Sequence, residues 1–407
     1  MQGTVSRKVD LKGCSHTQLH HFNQEQSMLS KKLNSLIGHG DPLADAVWVD
    51  YQKSTPEVRA LLEKGMRHGS SGIYGMPQSF QALLEDSEAT LTLMDRPEFE
   101  RALEYYAWLG PLWHSISLGP GSLVHTYSDP AIAAVLMKTG NLLDQTVARR
   151  LLETQIWNVS VIKPHGLSLG GSGYVHTLQV RMLHAQVRSS LLRRGWRHPH
   201  SPQAVPIDQL QMIRTWLDFT VVPFNSLDSM GLPASREQRQ ALYCLWRLIG
   251  RLLGIEPDLM AQISDHTVAQ EMLKLVDGQL LLADDNSRIL TKATLNAMGV
   301  RLAPLLAIPA DVSVLLMNSM CRLFHGDAHA QRLGVDENWT SALLPMMADA
   351  NRFRLRRLEE DYEYRVTSVS NSLQTYESIE KGLSNLTAYQ AMSSGITWND
   401  LPRIGSN

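Results

Sequence analysis

The sequence predicts an all-α fold, a single large helical domain, and three observations predict it. Apolar residues recur at spacings of three and four along most of the chain, while alternating strand patterns are scarce. Helix-start signals, an Asp, Thr or Ser followed by Pro or by Gln three residues on, stand ahead of the apolar runs. No repeat, low-complexity tract or linker-like break divides the pattern. The expected organisation is a loose arm over 1–35, a helical domain over 36–370 and a weakly ordered tail over 371–407.

The elements follow in order. The polar start, rich in Gln, His and Ser, carries no helical stripe. "GDPLADAVWVDYQK" opens with Asp41 as cap and Pro42 at the first helical position, and "TPEVRALLEKGMRHG" repeats this with Thr55 and Pro56. "DRPEFERALEYYAWLGPLWHSISLG" is an aromatic-rich helical stretch ending at a Gly119–Pro120 turn. "SDPAIAAVLMKTGNLLDQTVARRLLETQIWNVSVI" holds two helices punctuated by Gly140. "KPHGLSLGGSG" is a glycine-rich turn before the helix "VHTLQVRMLHAQVR". Residues 207–231 read as one buried helix kinked at Pro223. Residues 235–255 form the clearest helix, with Ser235 and Gln238 as a capping box. Apolar runs near 291–307 and 309–326 supply further helices, and 343–366 turns from apolar to heavily charged.

Bulk properties exclude several classes. With 407 residues and 43% hydrophobic content the chain can bury a sizeable core. A net charge of -2 gives no basis for nucleic acid or an anionic membrane as partner. No apolar run reaches the ~18 residues of a membrane span. Cys14, Cys244 and Cys321 form no CxxC, and the N-terminus has no apolar h-region, so a cytoplasmic protein is expected. There is no HExxH, no nucleotide-binding loop after a strand and no GxSxG. "HPH" at 198–200 and His20–His21 read as incidental surface histidines.

Two helix faces carry unusual chemistry. Val180, His184, Val187 and Leu191 form one stripe, with Val175, Leu178, Met182 and Ala185 beside it, so His184 falls on or next to the buried face. A lone histidine there is more often a hydrogen-bonded core residue than a ligand. Arg181 and Arg188, three and four residues away, disfavour imidazolium, and a neutral ring is the form that binds metal. On the preceding helix Leu143, Val147, Arg150, Thr154 and Trp157 share a face, and an arginine inside an apolar stripe needs a partner.

Four pieces in this order, "GDPLADAV", "SDPAIAAVLMKTGNL", "ARRLLET" and "VRMLHAQVR", resemble the superfamily of rubber oxygenases (latex clearing proteins) and fungal mycophenolate-pathway oxygenases, over residues 38–330. The resemblance implies a globin-like helical core holding haem b non-covalently. It implies that His184 is the proximal iron ligand and that Arg150, Thr154 and Arg181 match the family signature. A threonine on the next apolar helix matches Thr220, with Thr215 the other candidate. Arg181 and Arg188 become candidates to pair with haem propionates. Rubber cleavers split the double bonds of polyisoprene into carbonyl products. They carry a lysine where this chain has Glu153, and a catalytic carboxylate where it has Ala133 or Ala134. The expected function is therefore a haem b oxygenase on a smaller apolar, isoprenoid or lipid, substrate. O2 would bind opposite His184, with Glu153 and Thr154 as candidate catalytic residues. The alternative is a non-catalytic haem or apolar-ligand carrier, or a gas sensor, on the same scaffold.

Overall fold

The computed structural model describes residues 29–139, 143–198, 201, 203–278 and 282–383. Every regular element among them is helical. In chain order these are α1 (Pro42–Lys53), α2 (Pro56–His68), α3 (Gln78–Leu91), α4 (Arg96–Leu109) and α5 (Pro111–Ile116). A π-helical stretch, Ser117–Leu123, leads into α6 (Val124–Tyr127), α7 (Pro130–Thr139), α8 (Leu143–Val161) and α9 (Ser172–Arg193). Then come α10 (Gln209–Asp218), α11 (Val221–Ser229), α12 (Arg236–Leu252), α13 (Pro257–Gln262) and α14 (His266–Asp277). The chain continues through α15 (Asp285–Leu306), α16 (Ala310–His325), α17 (Asp327–Arg332), the 3-10 turn Trp339–Leu343, α18 (Leu344–Glu360) and α19 (Tyr362–Leu383).

Local chemistry sets most of the boundaries. The Asp41 carboxylate accepts the Ala44 N–H, and Thr55 Oγ1 accepts that of Val58. Both halves of the Ser235–Gln238 capping box are made. Each satisfies a first-turn donor that has no partner within the helix.

Three expectations change. The helix expected over 207–231 is two helices, α10 and α11, with the break at Phe219–Thr220. Pro223 has no N–H to give to the carbonyl four residues back, so the chain breaks there and restarts with the proline in the first turn. The Gly119–Pro120 turn is instead part of the π-helical stretch, with Pro120 inside it, and π-turns concentrate at functional sites. The tail expected from 371 is helical as far as Leu383 in α19, where Tyr376 is buried. The arm's first residues, His20, His21 and His200, lie outside the described residues.

One continuous apolar cluster runs from Leu33 to Tyr376 and includes all the long helices around α9. α9 packs on α8 at very short range. A Cβ at Gly173 would lie 2.4 Å from the Ser160 carbonyl oxygen, so only glycine admits this approach. Trp157 Nε1 donates to Thr177 Oγ1 at 3.0 Å and links the two helices. No single helix among the described residues is long and apolar enough to cross a membrane; α15 and α16 would pass only as a pair, and they are bent by 115°.

Candidate active site

The two helices that share this close contact also share a cavity. α8 contributes Arg150, Glu153, Thr154 and Trp157, and α9 contributes Val180, Leu183, His184 and Val187. Both sets follow the spacing of one helix face. The neighbouring α9 stripe, Val175, Leu178, Met182 and Ala185, goes into the core. The rest of the wall comes from α6, α7, α10 and the end of α12. The empty volume, its mouth included, is about 1430 Å3.

Most of the wall is apolar. Trp157, Phe219 and Trp246 meet edge-to-face or tilted, with ring centroids 5.7–6.1 Å apart. Their polar edges are satisfied away from the cavity: Trp246 Nε1 donates to the Tyr106 hydroxyl at 2.9 Å, and Trp216 Nε1 to the Trp246 carbonyl at 2.7 Å. Such a wall excludes water and strengthens every electrostatic contact inside it.

His184 and Gln211 are exceptions in this wall, and Gln211 Nε2 is enclosed without a partner among the described residues. Among the same residues neither ring nitrogen of His184 has a hydrogen-bond partner, and Nδ1 is fully enclosed. Buried polar atoms without a partner are uncommon and call for an explanation. Burial first, and the Arg188 charge second, push the imidazole down to about 4, so it is neutral at physiological pH. The ring is therefore in the form that donates a lone pair to a metal.

Arg150 also lines the cavity. It donates to the Leu136 carbonyl at 2.9 Å and to Thr139 Oγ1 at 2.7 Å, and it forms no ion pair among the described residues. Burial lowers its pKa, yet a guanidinium stays charged in a protein. Glu153 is buried and Thr154 is its neighbour on the wall.

Arg181 and Arg188 do not line the cavity. Arg181 makes a bidentate pair with Asp41, at 2.6 and 3.2 Å, and reaches Asp86 at 3.0 Å. Arg188 pairs with Asp45 and donates to the Pro206 and Ile207 carbonyls. Both guanidiniums are saturated by protein groups, so they clamp α9 to α1 and α3 and are not placed to meet a ligand. Gly254 is part of this clamp. Its φ of +87° belongs to glycine, and a Cβ there would lie 2.1 Å from Asp41 Oδ2. Thr220 also faces away: its hydroxyl donates to the Trp216 carbonyl at 3.0 Å, one turn back. Thr215, the other candidate, lines the cavity. The break after α10 turns Thr220 off the face that Thr215 occupies.

Sequence reasoning missed Tyr127, Thr126, Thr139 and Gln211, all of which line the cavity. They lie on short elements where no stripe can be read. The "GPGSLVHTY" segment around the π-helical stretch was the only signal for Thr126 and Tyr127.

No group of three or more His, Cys, Asp or Glu that would hold a metal ion occurs among the described residues. The donor set is one neutral imidazole, which suits a metal that brings its other donors with it. Haem does so, and it carries carboxylates that an arginine with no carboxylate partner among the described residues would meet. His184, Arg150 and the apolar lining fit that group.

Comparison with known proteins agrees with this arrangement. Residues 112–354 match the family model described as "ER-bound oxygenase mpaB/B'/Rubber oxygenase, catalytic domain". The fold is similar to that in "Structure of Latex Clearing Protein LCP in the closed state", with a TM-score of 0.62 at 17% identity, over 83% of this chain and 90% of that one. No curated protein matches the sequence. The matched segment contains both cavity helices and more than half of the chain, and the protein belongs to the mpaB and rubber oxygenase catalytic-domain family.

Proposed function

We propose that the cavity holds haem b with His184 as the protein's iron ligand, and that the protein is an oxygenase acting on an apolar small molecule of isoprenoid or lipid type. The observation that carries this reading is the neutral, half-buried His184, whose enclosed Nδ1 has no hydrogen-bond partner among the described residues, set in an apolar cavity. Haem supplies the O2 chemistry when bound. The chain's own residues do the rest. His184 binds the iron, and Arg150 meets a carboxylate of the group. The aromatic wall excludes water and holds the apolar substrate. Glu153 holds or moves a proton at its carboxylate, with Thr154 beside it to orient substrate.

An absorption spectrum of the purified, haem-loaded protein tests the assignment. A Soret band is expected, lost or strongly shifted in His184→Ala. An unchanged band in that variant overturns it.

One observation favours a second reading, a carrier or sensor. Ala133 or Ala134, where the resemblance places the catalytic carboxylate of rubber cleavers, offers no carboxylate, and neither lines the cavity. Oxygen uptake with terpenoids separates the two: tight binding with no uptake supports the carrier.

A further inference from the structure

Behind the cavity wall lies a second cluster of titratable groups that the site above does not use. His125, on α6, is bonded on both ring nitrogens, Nδ1 to Asp218 Oδ1 at 2.7 Å and Nε2 to Asp277 Oδ2 at 3.3 Å. The other Asp218 oxygen accepts the Thr126 hydroxyl at 2.8 Å. Thr126 lines the cavity, while the Asp277 side chain is 34% exposed. A continuous hydrogen-bonded chain thus runs from solvent through Asp277, His125 and Asp218 to Thr126.

Neighbouring elements hold this chain in place. Arg214 of α10 donates to Asp218 at 2.9 Å, and to the His125 carbonyl and Ser128 Oγ. It also reaches Asp277 at 3.5 Å. His325 of α16 and His329 of α17 lie with ring centroids 5.6 Å from that of His125. His325 Nε2 bonds the Pro120 carbonyl at 2.8 Å. Asp129 acts on Arg214, and Arg332 on His329. Burial opposes charge on His125, but Asp218 and Asp277 outweigh it and raise the ring to about 9. The flanking rings are held down by burial and by the His125 charge, His325 to about 3 and His329 to about 4. Among the three, His125 alone is cationic at neutral pH.

We propose that Asp277, His125, Asp218 and Thr126 form a proton path between solvent and the cavity, with Thr126 as its inner end. The proposal rests on the oxygenase reading, which gives the proton an acceptor: an anionic oxygen formed on substrate in the cavity. In one delivery the His125 Nδ1–H bond breaks as an O–H bond forms on Asp218. The carboxylic acid turns and hands the proton to Thr126 Oγ1, and Thr126 releases its own hydroxyl proton to the acceptor. The neutral ring then turns over, so that its remaining N–H faces Asp218 and the bare nitrogen takes a proton from solvent through Asp277. One proton enters at the surface and one leaves in the cavity, with no change in oxidation state.

The photoacid 2-naphthol, an apolar ring bearing one hydroxyl, tests the path without haem or turnover. Energy transfer from Trp157, Trp216 and Trp246 in the wall reports its binding. Bound next to a proton path, excited naphthol loses its proton and emits as naphtholate. The wild type is expected to show this emission. Thr126→Val, which keeps the side chain's shape, should lose it while still binding neutral naphthol, and Thr126→Ser should restore it. Asp218→Asn should lose it as well, and thermal unfolding of each variant shows that the fold persists. Undiminished naphtholate emission in Thr126→Val overturns the path. Equal loss in Thr126→Val and Thr126→Ser overturns it too, because it assigns Thr126 a packing role. Failure of haem binding is read from the Soret band and leaves these emission results intact.

Discussion

His184 and His125 are both half-buried, and their surroundings drive them to opposite charge states. His184 faces apolar residues, with the Arg188 charge nearby, and it titrates near 4. His125 faces two carboxylates and titrates near 9. Burial alone disfavours the cation in both places, and only a nearby anion reverses it. Arg181 makes the same point from the other side. It is about as close to His184 on the helix as Arg188 is, and its partner Asp41 acts on the ring in the raising sense. A saturated histidine holds structure together, whereas one with no partner is free for a ligand.

The largest expected effect comes from breaking the saturated side. Asp218→Ala leaves Arg214 and His125 buried without their shared anion, and should cost about 3–5 kcal/mol in denaturant unfolding. A loss below about 1 kcal/mol would mean that solvent reaches the cluster and screens it.

Next in size is a pH effect. The folded His125 ring titrates near 9 against an ordinary value of 6.5. Its stabilisation is therefore fully present below about pH 6.5 and disappears as pH rises through about 9, on the order of 3 kcal/mol in all. The unfolding free-energy gap between wild type and His125→Gln should shrink accordingly between neutral and alkaline buffer.

The smallest effect tests the unsaturated side. His184→Leu removes a partnerless imidazole from an apolar wall, so haem-free protein should gain about 1 kcal/mol at neutral pH. The folded His184 pKa lies below the unfolded value, so wild type loses this contribution as pH falls from about 6.5 towards 4, and the leucine variant's advantage should widen in acid. A destabilised leucine variant would mean that the ring has a partner in solution.

The sequence carried the fold well because helices announce themselves locally. Caps at Asp41, Thr55 and Ser235 and three-four spacing are properties of neighbouring residues. The α8 and α9 faces of the cavity were readable for the same reason. Long-range pairing was not. Nothing near Arg181 foretells a carboxylate 140 positions earlier, so two clamping arginines read as ligand contacts. Thr220 was misplaced because a helix break shifts the register of every face beyond it.

The arginine clamp bears finally on modularity. The family segment spans 112–354, but Asp41, Asp45 and Asp86, which neutralise Arg181 and Arg188, all precede it. Glu380, which holds Lys163 and Ser172 at the start of the histidine helix, follows it. Excised at those boundaries, the segment would keep two buried guanidiniums and lose every anion that neutralises them. Such a fragment is not an independent folding unit. A chimaera that imports the segment into another member of the family must import its flanking helices too, so the two parts are constrained to change together.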